Sequence, residues 1–185
     1  MKTRSDALQL LKEWVQSESL RNHCLAVACA MEGYAKKMSL MKEESDIYWI
    51  TGLLHDMDYE RYPDISIHPI KGCEELRKEG YPEEIIEAIL GHNEATGIKR
   101  YTKMAKTLFA VDELSGLIVA LSKVRPSGFS GMNAKSVDKV MRKKDFAANI
   151  NRDDIRKGMD EIGVSQDEHF QTVIDSLSNM EKEKL

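Results

Sequence analysis

The sequence is poor in the residues that characterise secreted and disordered chains. Its 185 residues include three cysteines, four prolines and eleven glycines. The cysteines Cys24, Cys29 and Cys73 form no CxxC pair, and their odd number favours reduced thiols inside a cell. The low proline and glycine content, together with 42% hydrophobic residues, predicts an ordinary globular chain with its own core.

Long apolar runs are also missing. Charged residues at Lys2, Arg4, Asp6, Lys12 and Glu13 interrupt the first twenty residues, where a signal peptide would need an apolar core. No apolar run approaches the roughly 18 residues that a membrane span requires. We therefore expect a cytoplasmic protein with no membrane partner.

The chain has no excess of positive charge. Its 27 lysines and arginines face 31 acidic residues, which gives a formal net charge of -4. This excludes the broad cationic surface that binds extended nucleic acid through counterion release. A small phosphorylated partner would have to be held by something other than net charge.

Apolar residues recur at helical spacing through most of the chain, as at Leu8, Leu11 and Val15. No β-branched alternation bounded by turns is present. The pattern predicts an all-α fold. The predicted helices are residues 4–16, 19–38, 43–56, 69–79, 82–92, 102–123, 135–146, 152–162 and 166–183.

One loop divides the chain. Residues 125–133, RPSGFSGMN, concentrate Pro, Gly, Ser and Asn, which is typical of a loop. The length of the chain suits one core with an appendage. We therefore predict a helical core at residues 1–124 and a small C-terminal helical extension at residues 134–185 that packs on it.

Four of the five histidines precede residue 93, and each lies in or at the end of a different predicted helix. They are His23 in RNHCLAV, His55 in LLHDMD, His68 in ISIHPIKG and His92 in ILGHNEA. Asp112, in LFAVDELSG, interrupts an apolar helical stretch. A carboxylate that faces a core is costly unless it is paired or coordinates a cation, so Asp112 needs a partner.

These residues form a candidate metal site, because side chains from different helices can converge inside a bundle. Their mixed nitrogen and oxygen set suits a divalent transition metal. The set predicted for one ion is His23, His55, Asp56 and Asp112. His68 and His92 could hold a second ion, with Asp56 as the bridge, and two such ions can bind a phosphate and activate a water molecule.

The order of these motifs resembles the HD superfamily of metal-dependent phosphohydrolases, in which a His, an adjacent His-Asp and a distant Asp lie on a helical bundle. The resemblance covers about residues 17–123. His68 and His92 resemble the extra histidines of the branch with a dimetal centre, which includes cyclic-nucleotide and cyclic-dinucleotide phosphodiesterases. The resemblance implies that Asp56 bridges the two ions.

The chain departs from one branch of this family. Where the HDIGK run has Gly and Lys, this sequence has Asp58 and Tyr59, and no GYP tripeptide follows. The departures argue against a cyclic-dinucleotide substrate and against a catalytic role carried over from that lysine. Asp58 has two interpretations, a general acid or base near the metal and an aspartate of a turn or helix end, and the second is favoured.

Two interpretations stay open for the basic residues of AKSVDKVMRKKDF, which recur at helical spacing on one face. They form either a solvated face balanced by Asp138 and Asp145, or a surface that closes over the metal cleft and binds a substrate phosphate. The candidate phosphate-binding residues are Lys123, Arg125, Lys139, Arg142 and Lys143. His169, among polar neighbours, is predicted to face solvent.

The sequence therefore predicts a hydrolase that acts on a phosphomonoester or phosphodiester of a small molecule, with a nucleotide as the expected substrate. Its cofactors would be one or two divalent ions of Mn, Fe, Ni, Zn or Mg, and Asp56 would be the central catalytic residue. The alternatives are an oxygenase with a mixed-valent di-iron pair and a nucleotide-binding regulatory module without turnover. The methionine-rich and apolar helices could support a homodimer.

Overall fold

The structure, a computed structural model, describes residues 2–180. Within that range it contains α-helices and one short 3-10 helix, and no strand, so the all-α prediction is confirmed. The helices are α1 Arg4–Trp14, α2 Glu18–Lys37, α3 Lys42–Leu54, α4 Ile70–Lys78, α5 Glu83–His92, α6 Lys103–Val124, α7 Ala134–Met141, α8 Arg152–Ile162 and α9 Gln166–Leu177, with the 3-10 helix Glu94–Thr96 between α5 and α6. None of these helices combines the length and apolar character needed to cross a membrane.

Many of the helices begin at a side-chain cap. The side-chain oxygens of Ser17, Thr102, Asn151 and Ser165 each accept a backbone N–H from the first turn of the helix that follows. Such a cap satisfies an N–H group that has no partner within the helix. Because the caps are local in sequence, every predicted helix start lies within one residue of the observed one.

The end of α7 was predicted less well. The sequence predicts a helix to residue 146, whereas α7 ends at Met141. The Arg152 guanidinium donates hydrogen bonds to the carbonyl oxygens of Lys143, Phe146 and Ala147, and these bonds hold the following segment in turns. At the other end of the chain, α9 ends at Leu177, and residues 181–183 of the predicted helix lie outside the described range.

The core is built around α2 and α6. Helix α2 packs against α3, α6 and α9, and α6 packs against α5 and α8. Leu108, Val111, Leu114 and Leu117 of α6 are fully buried. Burial of each such aliphatic side chain contributes roughly 1.5–3 kcal/mol relative to exposure. The two central helices therefore give a rigid frame to the side chains that they carry.

Two glycines allow close approach between helices. A Cβ at Gly52 would lie 2.8 Å from the Cα of Ala28, and a Cβ at Gly158 would lie 2.5 Å from the Cα of Ala110. Helix α3 therefore lies directly against α2, and α8 directly against α6. The predicted division into a core and an extension stays a prediction, although α8 and α9 pack along the central helices.

The prediction that His169 faces solvent was wrong. The side chain is fully buried between α2, α6 and α9. Its Nε2–H donates to the carbonyl oxygen of Ala110 at 3.0 Å, and the Tyr34 hydroxyl lies 2.5 Å from its Nδ1. Burial lowers the pKa of His169 to about 4, so the ring is neutral at cell pH. The polar neighbours in sequence concealed its position on the same face as buried Val173.

Candidate metal centre

Helix α3 was predicted to end at residue 56 but ends at Leu54, so the His-Asp pair directly follows it. His55 is the C-cap residue and is buried, with its Nδ1–H donating to the Gly52 carbonyl oxygen at 2.8 Å. Because a carbonyl oxygen only accepts, this bond leaves the lone pair on His55 Nε2. That nitrogen is buried, has no hydrogen-bond partner, and lies 3.3 Å from Asp112 Oδ1 and 3.5 Å from Asp56 Oδ1.

Helices α2 and α6 bring the other two residues of the first predicted set to His55. His23 Nε2 of α2 lies 3.0 Å from Asp112 Oδ1 and 3.8 Å from Asp56 Oδ2. Ligand atoms of His23, His55 and Asp112 all lie within 4.8 Å of one another, a spacing that one metal ion can span. The two histidines are thus the partners that a carboxylate in an apolar helix requires.

His68 and His92 meet on the other side of Asp56. Their Nε2 atoms lie 3.3 Å apart, and they lie 3.2 Å and 3.3 Å from Asp56 Oδ1. His92 Nδ1–H donates to the carbonyl oxygen of Ile89, so its Nε2 also carries the lone pair. The six predicted residues therefore converge, with the carboxylate of Asp56 between the pair His23 and His55, which lie nearer to Asp112, and the pair His68 and His92.

Asp58 orients His68. It is fully buried, and its Oδ1 lies 2.7 Å from His68 Nδ1, while its Oδ2 accepts the backbone N–H of Gly72 at 2.7 Å. A Cβ at Gly72 would lie 3.1 Å from the carboxyl carbon of Asp58. A carboxylate behind an imidazole fixes the tautomer and direction of a metal-ligating histidine. The sequence interpretation of Asp58 as an ordinary turn residue missed this contact.

Asn93 ties the two histidine segments together. Its Nδ2 donates to the carbonyl oxygens of His68, at 2.6 Å, and Ile65, at 2.9 Å. Asn93 directly follows His92 at the end of α5, so these two bonds hold the backbone of one histidine against the helix that carries the other. No sequence pattern predicted this role, because the partners are backbone carbonyls 25 or more residues away.

The cluster favours ionised carboxylates. Burial raises the pKa of Asp56 and of Asp112, but the surrounding histidines outweigh it and hold both pKa values well below the ordinary range. Burial lowers the pKa of His55 and of His68, while the carboxylates raise both to a net value of about 9. In the absence of a metal, a proton therefore occupies the histidine nitrogen that faces a carboxylate. A bound metal ion could replace this proton.

A cavity of about 530 Å³ opens onto this cluster. Five of the six predicted ligands line it, and His55 lies behind them. Other parts of the wall come from Tyr59, from Phe109 and Glu113 of α6, and from Asn151 and Asp154 at the start of α8. Burial and the adjacent Asp112 carboxylate raise the pKa of Glu113 to about 7.

The predicted phosphate-binding residues lie elsewhere. Among the residues that line the cavity in the described part of the chain there is none of Lys123, Arg125, Lys139, Arg142 and Lys143. Arg125 donates to the carbonyl oxygens of Gly128 and Ser130 within its own loop, and Arg142 pairs with Asp138 on α7 at 2.6 Å. Their role in substrate binding stays a prediction, and their placement favours the solvated-face interpretation.

Comparison with known proteins agrees with this geometry. A family model described as HD domain matches residues 20–117, which is more than half of the chain and includes all six residues of the cluster. No curated protein and no solved structure matches the chain significantly.

Proposed function

Because the chain belongs to the HD domain family, we propose that it is a metal-dependent hydrolase of phosphomonoesters or phosphodiesters. HD domains in general bind divalent metals and act as hydrolases. The observation that carries the proposal is the convergence of four histidines and two aspartates at one cavity. Five of these residues line the cavity, and behind them His55 Nε2 is buried and unpartnered beside two carboxylates.

The donor set fits divalent ions. His23, His55, Asp56 and Asp112 would hold one ion, and His68 and His92 would hold a second together with Asp56. The four imidazoles suit Fe, Ni or Zn, and the two carboxylates also suit Mn, whereas Mg prefers a site built from oxygen ligands. When bound, such ions lower the pKa of a coordinated water and neutralise phosphate charge.

The protein's own residues prepare the site for these ions. The bonds from His55 to Gly52, from His92 to Ile89 and from His68 to Asp58 all use Nδ1. Each bond therefore directs an Nε2 lone pair towards Asp56. The carboxylates stay ionised, and the imidazoles release their protons when a cation takes the place of those protons.

The cavity fits a small phosphorylated molecule. Its volume of about 530 Å³ lies within the usual range for small-molecule sites. Tyr59 and Phe109 contribute aromatic rings to the wall, and Asn93 and Asn151 contribute amides. The aromatic side of the wall can pack against a base, and the acidic side chains of the wall can accept hydrogen bonds from a sugar, so we keep a nucleotide as the proposed substrate.

The test is metal content per chain, measured by elemental analysis of protein purified without added metal or chelator, followed by a phosphoester screen with the metal found. We expect close to two transition-metal ions and release of phosphate or cleavage of a phosphodiester. A content near one would remove His68 and His92 from the ligand set. Protein that binds no metal even after supplementation would contradict the proposal.

A second candidate reaction is oxidation by a di-iron pair held by the same ligands. It is favoured by the absence of lysine and arginine from the described cavity wall, where phosphate-binding enzymes commonly place them. Two irons per chain together with substrate-dependent oxygen uptake would support this candidate. Manganese, nickel or zinc without oxygen uptake would support the hydrolase.

A further inference from the structure

Outside the metal cluster, the charged side chains of the cavity wall are all acidic. Apart from the six residues of the metal cluster, its acidic side chains are Glu94, Glu113 and Asp154. Over residues 2–180, no lysine or arginine lines the cavity. The positive charge available to a substrate phosphate is therefore confined to the metal cluster, and a second anionic group would meet carboxylates.

One of the three carboxylates is already neutralised. Glu94 forms ion pairs with Lys157 and with Arg100, and both cations lie outside the cavity lining. A carboxylate that is paired with two cations presents little net negative charge to a ligand. Glu94 is thus a weak determinant of which substrate the cavity accepts.

Among the described residues, Glu113 and Asp154 form no ion pair with a lysine or arginine, although the more distant charges of Lys157 and Arg100 act on Asp154. Both instead accept hydrogen bonds from Asn151, whose backbone N–H lies 3.1 Å from Glu113 Oε2 and whose Nδ2 lies 2.7 Å from Asp154 Oδ2. The close contact of Gly158 with α6 brings this first turn of α8 beside Glu113. Two acidic side chains from different helices therefore form one acidic wall next to the metal cluster, although Glu113, whose pKa is raised to about 7, is only partly ionised at neutral pH.

We propose that this wall selects substrates with a single phosphate group, in which the rest of the molecule carries no negative charge and offers hydrogen-bond donors. Nucleoside monophosphates and amino alcohol phosphates belong to this class, whereas nucleoside diphosphates and triphosphates do not. The phosphate occupies the cationic cluster, and the donor groups contact Glu113 and Asp154. A second phosphate would meet like charge in a partly desolvated cavity. The inference rests on the proposed function.

The test compares kcat/KM for monophosphates, namely AMP, phosphoethanolamine and p-nitrophenyl phosphate, with kcat/KM for ADP and ATP at constant free metal. We expect the best monophosphate to exceed ATP by about tenfold or more, because each extra charge faces the wall. Glu113→Gln and Asp154→Asn keep the hydrogen-bond acceptors. Asp154→Asn should narrow this preference about threefold, and Glu113→Gln should narrow it less, because Glu113 is only partly ionised at neutral pH. Asp160→Asn, an exposed change on the same helix, should leave the preference unaltered.

A measurement on the unaltered protein guards against variants that fold poorly. Raising the ionic strength from about 0.05 to 0.5 M should narrow the preference, because salt screens interactions between a ligand and partly exposed carboxylates. Equal or better turnover of ATP would overturn the inference and leave the proposed function intact. So would a preference that neither salt nor the two variants change, since this would indicate size rather than charge. If metal-loaded protein cleaves no phosphoester, the proposed function itself fails.

Discussion

Two buried histidines at similar depth have opposite surroundings. His169 has partners on both ring nitrogens, the Tyr34 hydroxyl and the Ala110 carbonyl oxygen, and the pKa of its ring is about 4. His55 has one partner, the Gly52 carbonyl oxygen, while its other nitrogen faces two carboxylates and the pKa of its ring is about 9.

This difference separates a structural histidine from a candidate ligand. A neutral, fully hydrogen-bonded imidazole is a stable end state in a core. An imidazole lone pair that faces carboxylates needs a proton or a metal ion between them. Burial alone does not distinguish the two histidines. The unpartnered nitrogen and the neighbouring carboxylates do.

The largest expected effect comes from Asp56→Ala, which removes the oxygen that lies between both groups of histidines. We expect metal content near zero and a loss of turnover of roughly three orders of magnitude, because the activated water depends on the ions. Elemental analysis and phosphoester assays measure both quantities. Asp175→Ala, an exposed change on α9, serves as the control. Full metal content and turnover in Asp56→Ala would contradict the assignment of Asp56 as a metal ligand.

The second largest effect is the pH dependence of stability that His169, the histidine outside the metal cluster, should cause. The unfolded chain protonates His169 near pH 6.5, whereas the folded protein does so only near pH 4. The unfolded state binds more protons between these values, so the stabilisation is complete above pH 6.5 and is lost as the pH falls towards 4. The loss should reach about 3 kcal/mol in the free energy of unfolding.

Urea unfolding of the wild type and of His169→Gln across this pH range isolates the effect, since the other titrating groups are common to both proteins. Glutamine keeps a donor for the Ala110 carbonyl oxygen and does not titrate. The wild type should have the higher free energy of unfolding above pH 6.5, and its advantage over His169→Gln should decrease as the pH falls towards 4. A constant difference between the two curves would show that His169 is not buried as a neutral ring.

A smaller effect is expected from Asp58→Asn, which tests how a candidate ligand, His68, depends on the carboxylate behind it. The change removes the charge behind His68 and one acceptor for the Gly72 N–H. Loss of such a supporting carboxylate typically costs about 10–100-fold in metal affinity. Metal titration should therefore show one weakened ion and one unaffected ion, while Asp64→Asn in the neighbouring exposed turn changes neither. Equal weakening of both ions would indicate general disruption instead.

The smallest effect is expected from Arg142→Ala. This exposed side chain pairs with Asp138 one turn earlier, and such pairs contribute about 0.3–0.5 kcal/mol to stability. Because Arg142 does not line the cavity, KM for the best substrate should change less than about twofold. A KM several times higher, with unchanged metal content, would restore the sequence prediction that this basic face binds the phosphate.

Sequence reasoning succeeded where the determinants are local. Ser17 and Thr102 cap the helices that they precede, so the starts of α2 and α6 could be predicted from neighbouring residues. The end of α7 could not, because the Arg152 guanidinium that holds the following turns comes from a later helix. Local patterns therefore fix where helices begin better than where they end.

The candidate site divides in the same way. The six predicted ligands could be selected because four histidines on different helices, a His-Asp pair and an aspartate in an apolar helix are unusual in themselves. Asp58 could not, because its function depends on a bond to His68 across a turn that the sequence does not define. Glu113 and Asp154 were likewise missed, since only the packing of α8 on α6 brings them to one wall.

The contact between Gly52 and Ala28 acts as a spacer of fixed length. His23 lies on one of the two helices, and His55, whose ring bonds to the Gly52 carbonyl oxygen, lies at the end of the other. A single added carbon at residue 52 would push the helix axes apart and move two nitrogens that must meet one ion. Tolerance to mutation in this protein is therefore set by the distance between two backbones as well as by the identity of the ligands, and a variant with all six ligands intact could still be metal-free.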